Sequence, residues 1–125
     1  MIDLNGLWVN QNGSTVVLEA VPGGEIKGWY CSRKGRSAVG KRYPVVGRQN
    51  GELLSFLVDW QDAEHNLEAM TAFSGRCVVD AQREVAIHTV WVLSRQFEDD
   101  ARQKPTGAWN AFLTNADIFR RSPQD

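Results

Sequence analysis

Hydrogen-bonding side chains recur in this 125-residue chain two positions away from large aromatic residues. Trp8 precedes Asn10, Tyr30 precedes Ser32, Thr71 precedes Phe73 and Thr89 precedes Trp91. A strand sends alternate side chains to one face, so each pair shares a face that is aromatic and polar at once. Burying such polar groups without partners costs about 1–3 kcal/mol each, and an ordinary core avoids them. Aromatic walls with a few aimed donors and acceptors are how a small-molecule pocket is lined. The chemistry offered is recognition. For catalysis the parts are missing: there is no Gly-x-Ser-x-Gly elbow, no glycine-rich phosphate loop and no histidine beside a candidate nucleophile. Asp117 with Tyr30 could exchange a proton, but no other residue supports that role.

The elements that must position these residues are short. Runs rich in Val, Leu, Trp and Thr cover 5–10, 14–21, 25–32, 43–47, 52–60, 69–78, 85–95 and 109–120. Between them lie Asn12-Gly13, Pro22-Gly23-Gly24, Asn50-Gly51 and the polar stretches 61–68, 79–84 and 95–107. Turn signals this frequent predict a meander of antiparallel strands, with hairpins at the two Asn-Gly pairs. No long amphipathic helix is visible. An all-β, eight-stranded antiparallel up-and-down β-barrel follows, because closure removes exposed sheet edges and leaves room for one small ligand. One domain over 1–120 and a frayed tail over 121–125 are expected.

A formal net charge of -1 provides no electrostatic case for nucleic acid. No apolar run approaches the roughly 20 residues of a membrane helix. Met1-Ile2-Asp3-Leu4 shows no basic start followed by an apolar stretch, so no signal peptide is expected in this chain, and its compartment stays open. Cys31 and Cys77 fall on opposite faces by alternation, which predicts two free thiols, and neither they nor His65 and His88 have the spacing of a metal site. His65 reads as solvated, and His88 points outward, where it could meet another subunit.

The segment Gly6-Leu7-Trp8-Val9-Asn10-Gln11-Asn12-Gly13-Ser14 resembles the opening of the avidin and streptavidin family, G-x-W-x-N-x-x-G-S. Gly28-Trp29-Tyr30-Cys31-Ser32, Phe56-Leu57-Val58-Asp59-Trp60 and Thr71-Ala72-Phe73-Ser74-Gly75 are similar to later strands of that family. Ile87-His88-Thr89-Val90-Trp91-Val92-Leu93 resembles its I-x-T-x-W-x-L strand, and Trp109 with Asp117-Ile118-Phe119 its closing region. The glycine often found before that aspartate is replaced here by Asn115-Ala116. The likeness runs in order along nearly the whole chain.

The resemblance implies high-affinity binding of biotin inside the barrel, with no cofactor, metal or catalysis. It assigns Asn10, Ser14 and Tyr30 to the ureido oxygen, Ser32 and Asp117 to the ureido N–H groups, and Thr71 to the thioether sulfur. A carboxylate facing the urea N–H would strengthen the hydrogen bonds at its carbonyl. Trp60, Phe73, Trp91 and Leu93 become the apolar walls. Phe73 stands where streptavidin has tryptophan and avidin phenylalanine. Ala69 stands where streptavidin has a serine that touches biotin's carboxylate, and the basic loop 33–40 would close over that end, with Arg36 (Arg33 or Lys34 less so) making up the missing contact. Trp109 would cap the pocket of a neighbouring subunit, which implies a homo-oligomer, a tetramer ahead of a dimer; the short turn Arg48-Gln49-Asn50-Gly51 is similar to that of members that stop at dimers. Two other readings stay open: a lipocalin-like carrier of another ligand, which would leave Asn10, Ser14, Tyr30, Ser32 and Asp117 unpaired, and an avidin-like scaffold with weakened biotin binding. Family members are often secreted.

Overall fold

In a computed structural model that describes residues 2–32, 41–61, 68–98 and 101–122, the chain forms eight strands. They are β1 (Gly6–Asn10), β2 (Thr15–Val21), β3 (Glu25–Cys31), β4 (Arg42–Asn50), β5 (Leu53–Asp59), β6 (Ala69–Val79), β7 (Val85–Arg95) and β8 (Phe112–Arg121). Each pairs antiparallel with the next, and β1 pairs with β8 through Trp8↔Arg121, Val9↔Arg120 and Asn10↔Phe119, closing the barrel. This is the up-and-down barrel expected from the turn spacing.

Period-two patterning decides which side chains enter. On β6, Ala69, Thr71, Phe73 and Cys77 are buried while Met70, Ala72 and Ser74 face out. On β8, Asp117 and Phe119 are buried between exposed neighbours. Cys31 and Cys77 are free thiols, Cys77 inside and Cys31 half-buried. Burial, reinforced by the charge of Glu52 and opposed by Arg121, pushes the Cys77 thiol above its ordinary range, so it behaves as a small apolar filler. His88 is exposed on the outer face of β7, opposite Arg76 and Ile118.

Two boundaries differ from expectation. β4 runs on through Asn50, which pairs with Leu53 across the tight Gly51 turn, so the strand exceeds the apolar run 43–47 that marks its centre. The run 109–120 is divided: Ala108–Asn110 form one 3₁₀ turn that carries Trp109, and the strand begins only at Phe112.

Arg121 is not part of a frayed tail. It is the last residue of β8, its Nη1 donates to Asn5 O at 2.6 Å and its Nη2 to Asp3 O at 2.6 Å, and its guanidinium lies 4.3 Å from the centre of the Trp8 ring. The N-terminal segment is thereby drawn across one end of the barrel, where Leu4 is fully buried and accepts the Trp8 Nε1–H at 2.9 Å. That end is a floor. The opposite end carries the β1–β2, β3–β4, β5–β6 and β7–β8 connections and is the mouth.

Candidate ligand-binding site

The site starts at the β1–β2 turn. Asn10 ends β1, and its backbone N–H donates to Ser14 O at 2.9 Å. Gly13 takes φ +84°, a conformation that only glycine adopts without strain, and this lets the turn close tightly. The Asn10 side-chain oxygen accepts the N–H groups of Asn12 (3.0 Å) and Ser14 (2.9 Å), which fixes the amide plane. Its Nδ2 is then aimed at Asp117 Oδ2, 3.2 Å away, and keeps a second N–H for another acceptor.

Asp117 is 7% exposed, and a carboxylate that deep needs donors. Gln11 supplies the other one: Nε2 donates to Asp117 Oδ1 at 2.8 Å, while Gln11 Oε1 accepts the Ile118 N–H at 3.0 Å. Thr89 donates from Oγ1 to Asp117 O at 2.9 Å, tying β8 to β7 at this level. Each carboxylate oxygen still has a lone pair for a ligand N–H.

Tyr30 lies across the interior, and its hydroxyl shares a hydrogen bond with Ser14. Burial first, and the charge of Asp117 second, push the phenol far above its ordinary value, against the opposing Ser14 bond. Tyr30 is therefore a permanent hydroxyl donor at any physiological pH. Ser14 (3% exposed) and Ser32 (6%) are also buried beside this group.

Aromatic rings enclose the space next to these polar atoms. Trp60 packs edge-on against Tyr43 (4.8 Å) and Tyr30 (5.5 Å), and its Nε1 donates to Thr71 Oγ1 at 2.8 Å. Phe73 stacks on Phe56 at 4.6 Å and meets Phe119 at 5.9 Å. Trp91 and Leu93 follow Thr89 on the inward face of β7, both half-buried. The Trp91 Nε1–H is buried with no hydrogen-bond partner among the described residues, a donor that a polar ligand atom would satisfy.

The structure thus brings ten of the twelve residues singled out from sequence onto the interior face or its edge: Asn10, Ser14, Tyr30, Ser32, Trp60, Thr71, Phe73, Trp91, Leu93 and Asp117. Trp109 stands apart, 80% exposed, with its ring close to the backbone of Gly107. Arg36 falls outside the described residues, as do Arg33, Lys34 and His65. Sequence reasoning missed Gln11 and Tyr43 as parts of the site, and placed Thr89 on the aromatic–polar face by its spacing of two from Trp91 without giving it a ligand contact. Gln11 was not legible, because it sits in a turn where alternation has no meaning.

The profile of the Avidin family matches residues 1–122. Afifavidin of Afifella pfennigii is 36% identical over 90 residues, 71% of this chain and 56% of that relative, so the match spans little more than half of the relative's length. Among solved structures, the rhizavidin–biotin complex is similar with a TM-score of 0.77 and 27% identity, covering 94% of this chain and 98% of that one. Apo short afifavidin is similar with a TM-score of 0.75 and 29% identity over 94% of each chain. Apo shwanavidin shares the fold at a TM-score of 0.79, with 24% identity over 97% of this chain and all of that one.

Proposed function

This chain belongs to the avidin family, and from that premise we propose that it is a non-catalytic binder holding biotin in its barrel with high affinity as a homo-oligomer. The observation that carries the reading is the buried Asp117 carboxylate clamped between Asn10 and Gln11, beside the Tyr30–Ser14 hydroxyl pair. A cyclic urea needs donors at its oxygen and acceptors at its two N–H groups. Asn10, Ser14 and Tyr30 offer the first set, and Asp117 and Ser32 the second. Thr71 accepts from Trp60 and keeps its own O–H for the ligand sulfur. Trp60, Phe73, Trp91 and Leu93 supply the apolar walls. Because these groups are held by one another before any ligand arrives, little ordering cost opposes binding. That the similar rhizavidin structure holds biotin supports the same reading here.

An apolar ligand of the lipocalin kind fits less well. It would leave the buried donors and acceptors of Asn10, Tyr30 and Asp117 with no new partners, at about 1–3 kcal/mol for each group stripped of water.

Assembly is supported by the outer wall. Val46, Leu57, Ala72 and Val92 stand in one registered row across β4 to β7, with Val46 (52%) and Val92 (40%) exposed and Val90 (58%) alongside. A second copy is the occupant proposed for this face, and Trp109 would then cap that copy's pocket; a tetramer is favoured over a dimer. Arg36, in the basic β3–β4 loop, is kept as a contact to the ligand carboxylate.

The test is a biotin titration followed by tryptophan fluorescence, with an off-rate chase on the same sample. One biotin per chain, slowly released, is the expected result. No saturable change would overturn the function and leave only the barrel, whereas fast release would select the weakened scaffold.

A further inference from the structure

From floor to mouth, the interior changes chemistry along one column. Thr89 stands at the level of Asp117, Trp91 and Leu93 follow on the same face of β7, and Arg95 ends it. Two residues advance a strand by roughly 7 Å, so Arg95 lies one such step outward of Leu93. It is half-buried, like the two residues before it on that face. Its neighbour across the β6–β7 ladder is Ala69, whose methyl group leaves space for a long side chain.

The Arg95 guanidinium is oriented. Its Nε donates to Asn110 O at 2.8 Å, which fixes the plane against the turn that carries Trp109. Among the described residues the two Nη groups have no hydrogen-bond partner and no acid paired with them. A planar fork of this kind, held at one edge and open at the other, matches a carboxylate. Read from inside outward, the pocket is polar, then apolar, then cationic. We propose that Arg95 is a specificity-determining residue, selecting ligands that carry an anionic group at the end of an aliphatic arm. The proposal rests on the biotin reading and adds Arg95 to Arg36 as a group that would receive its carboxylate.

The alternative is that Arg95 only anchors the Trp109 turn through Asn110. Release rates of biotin and of its uncharged primary amide distinguish the two, measured in the full chain, in Arg95→Gln and in Arg95→Lys. The wild-type chain should hold the acid roughly fivefold longer than the amide, the size of a well-placed, partly exposed charge pair, and the preference should shrink in high salt. Arg95→Gln keeps an N–H donor for Asn110 but no charge, and should bring the ratio well below the wild-type value. Arg95→Lys keeps the charge and should retain most of the ratio. Equal acceleration of acid and amide in Arg95→Gln would overturn the proposal in favour of the anchor. So would a ratio that survives Arg95→Gln but collapses when Arg33, Lys34 and Arg36 are neutralised together. If the wild-type chain binds neither ligand, the biotin reading fails first and takes this inference with it.

Discussion

At the scale of the residue, the candidate site depends on polar groups that orient one another and keep further valences for a ligand. Asn10 is held through its oxygen, Asp117 through both of its oxygens, and Gln11 through both ends of its amide. Tyr30 has a measurable consequence in the unliganded protein. Its folded-state pKa is raised above the ordinary 10.0, by burial and then by Asp117, so the unfolded chain loses that proton at a lower pH than the folded one. Above pH 10 the native state therefore binds more protons than the unfolded state, and stability falls as pH rises, by at most about 1.4 kcal/mol per pH unit for this group. Below pH 10 the contribution is fully present and flat. Denaturant unfolding from pH 8 to 11 should show this slope, and Tyr30→Phe should remove part of it. Identical slopes in the two proteins would mean that Tyr30 is less enclosed than described.

At the scale of the element, the barrel needs strands that approach more closely than side chains normally permit. Gly28 in β3 faces inward two positions before Tyr30, and a Cβ there would fall 1.7 Å from Val17 O on β2. Adjacent backbone cannot yield as a flexible side chain would, so an alanine must push β2 and β3 apart. Gly28→Ala should cost about 1–3 kcal/mol or more, as overpacked sites do, and lower the thermal midpoint by several degrees. Lys27→Ala, one position along on the outer face, should change it little, since its pair with Glu19 spans 4.0 Å between exposed side chains. Equal midpoints for the two variants would show that β3 relaxes without penalty. Because Tyr30 rides on the same strand, Gly28→Ala should also speed ligand release.

At the scale of the whole molecule, the chain leaves one of its five tryptophans, Trp109, 80% exposed. Trp109 sits on a 3₁₀ turn pinned by Arg95, and Gly107 lets its ring lie close to the backbone. In the proposed oligomer this ring would be buried against a second chain, where a tryptophan contributes strongly to binding. Trp109→Ala should speed biotin release about tenfold or more. The effect should fade in samples diluted to separated chains. A release rate indifferent to Trp109 at every concentration would remove it from the neighbour's pocket.

Local chemistry determined much of this protein in the sequence itself. Asn-Gly and Pro-Gly-Gly turns marked the strand ends, and a period of two put Trp8 with Asn10, Tyr30 with Ser32, Thr71 with Phe73 and Thr89 with Trp91 on shared faces, because alternation along a strand is a local rule, whereas Asp117 entered only through the resemblance. Closure was decided elsewhere. Only the pairing of β1 with β8 brings Asp117 to Asn10 and Gln11, more than a hundred residues away in sequence, and only the fold shows that Gln11, from a turn with no periodicity, completes the clamp. Arg121 read as a loose end because nothing local reveals that two hydrogen bonds from it hold the N-terminal segment across the floor while its guanidinium lies over Trp8. Arg95 read as the boundary between a strand and a polar loop, yet the fold makes it the last residue of β7, opposite Ala69 and bonded to Asn110. A side chain's type and its neighbours in sequence dictate the face it takes, but which distant group it meets there depends on register and closure, and those belong to the barrel as a whole.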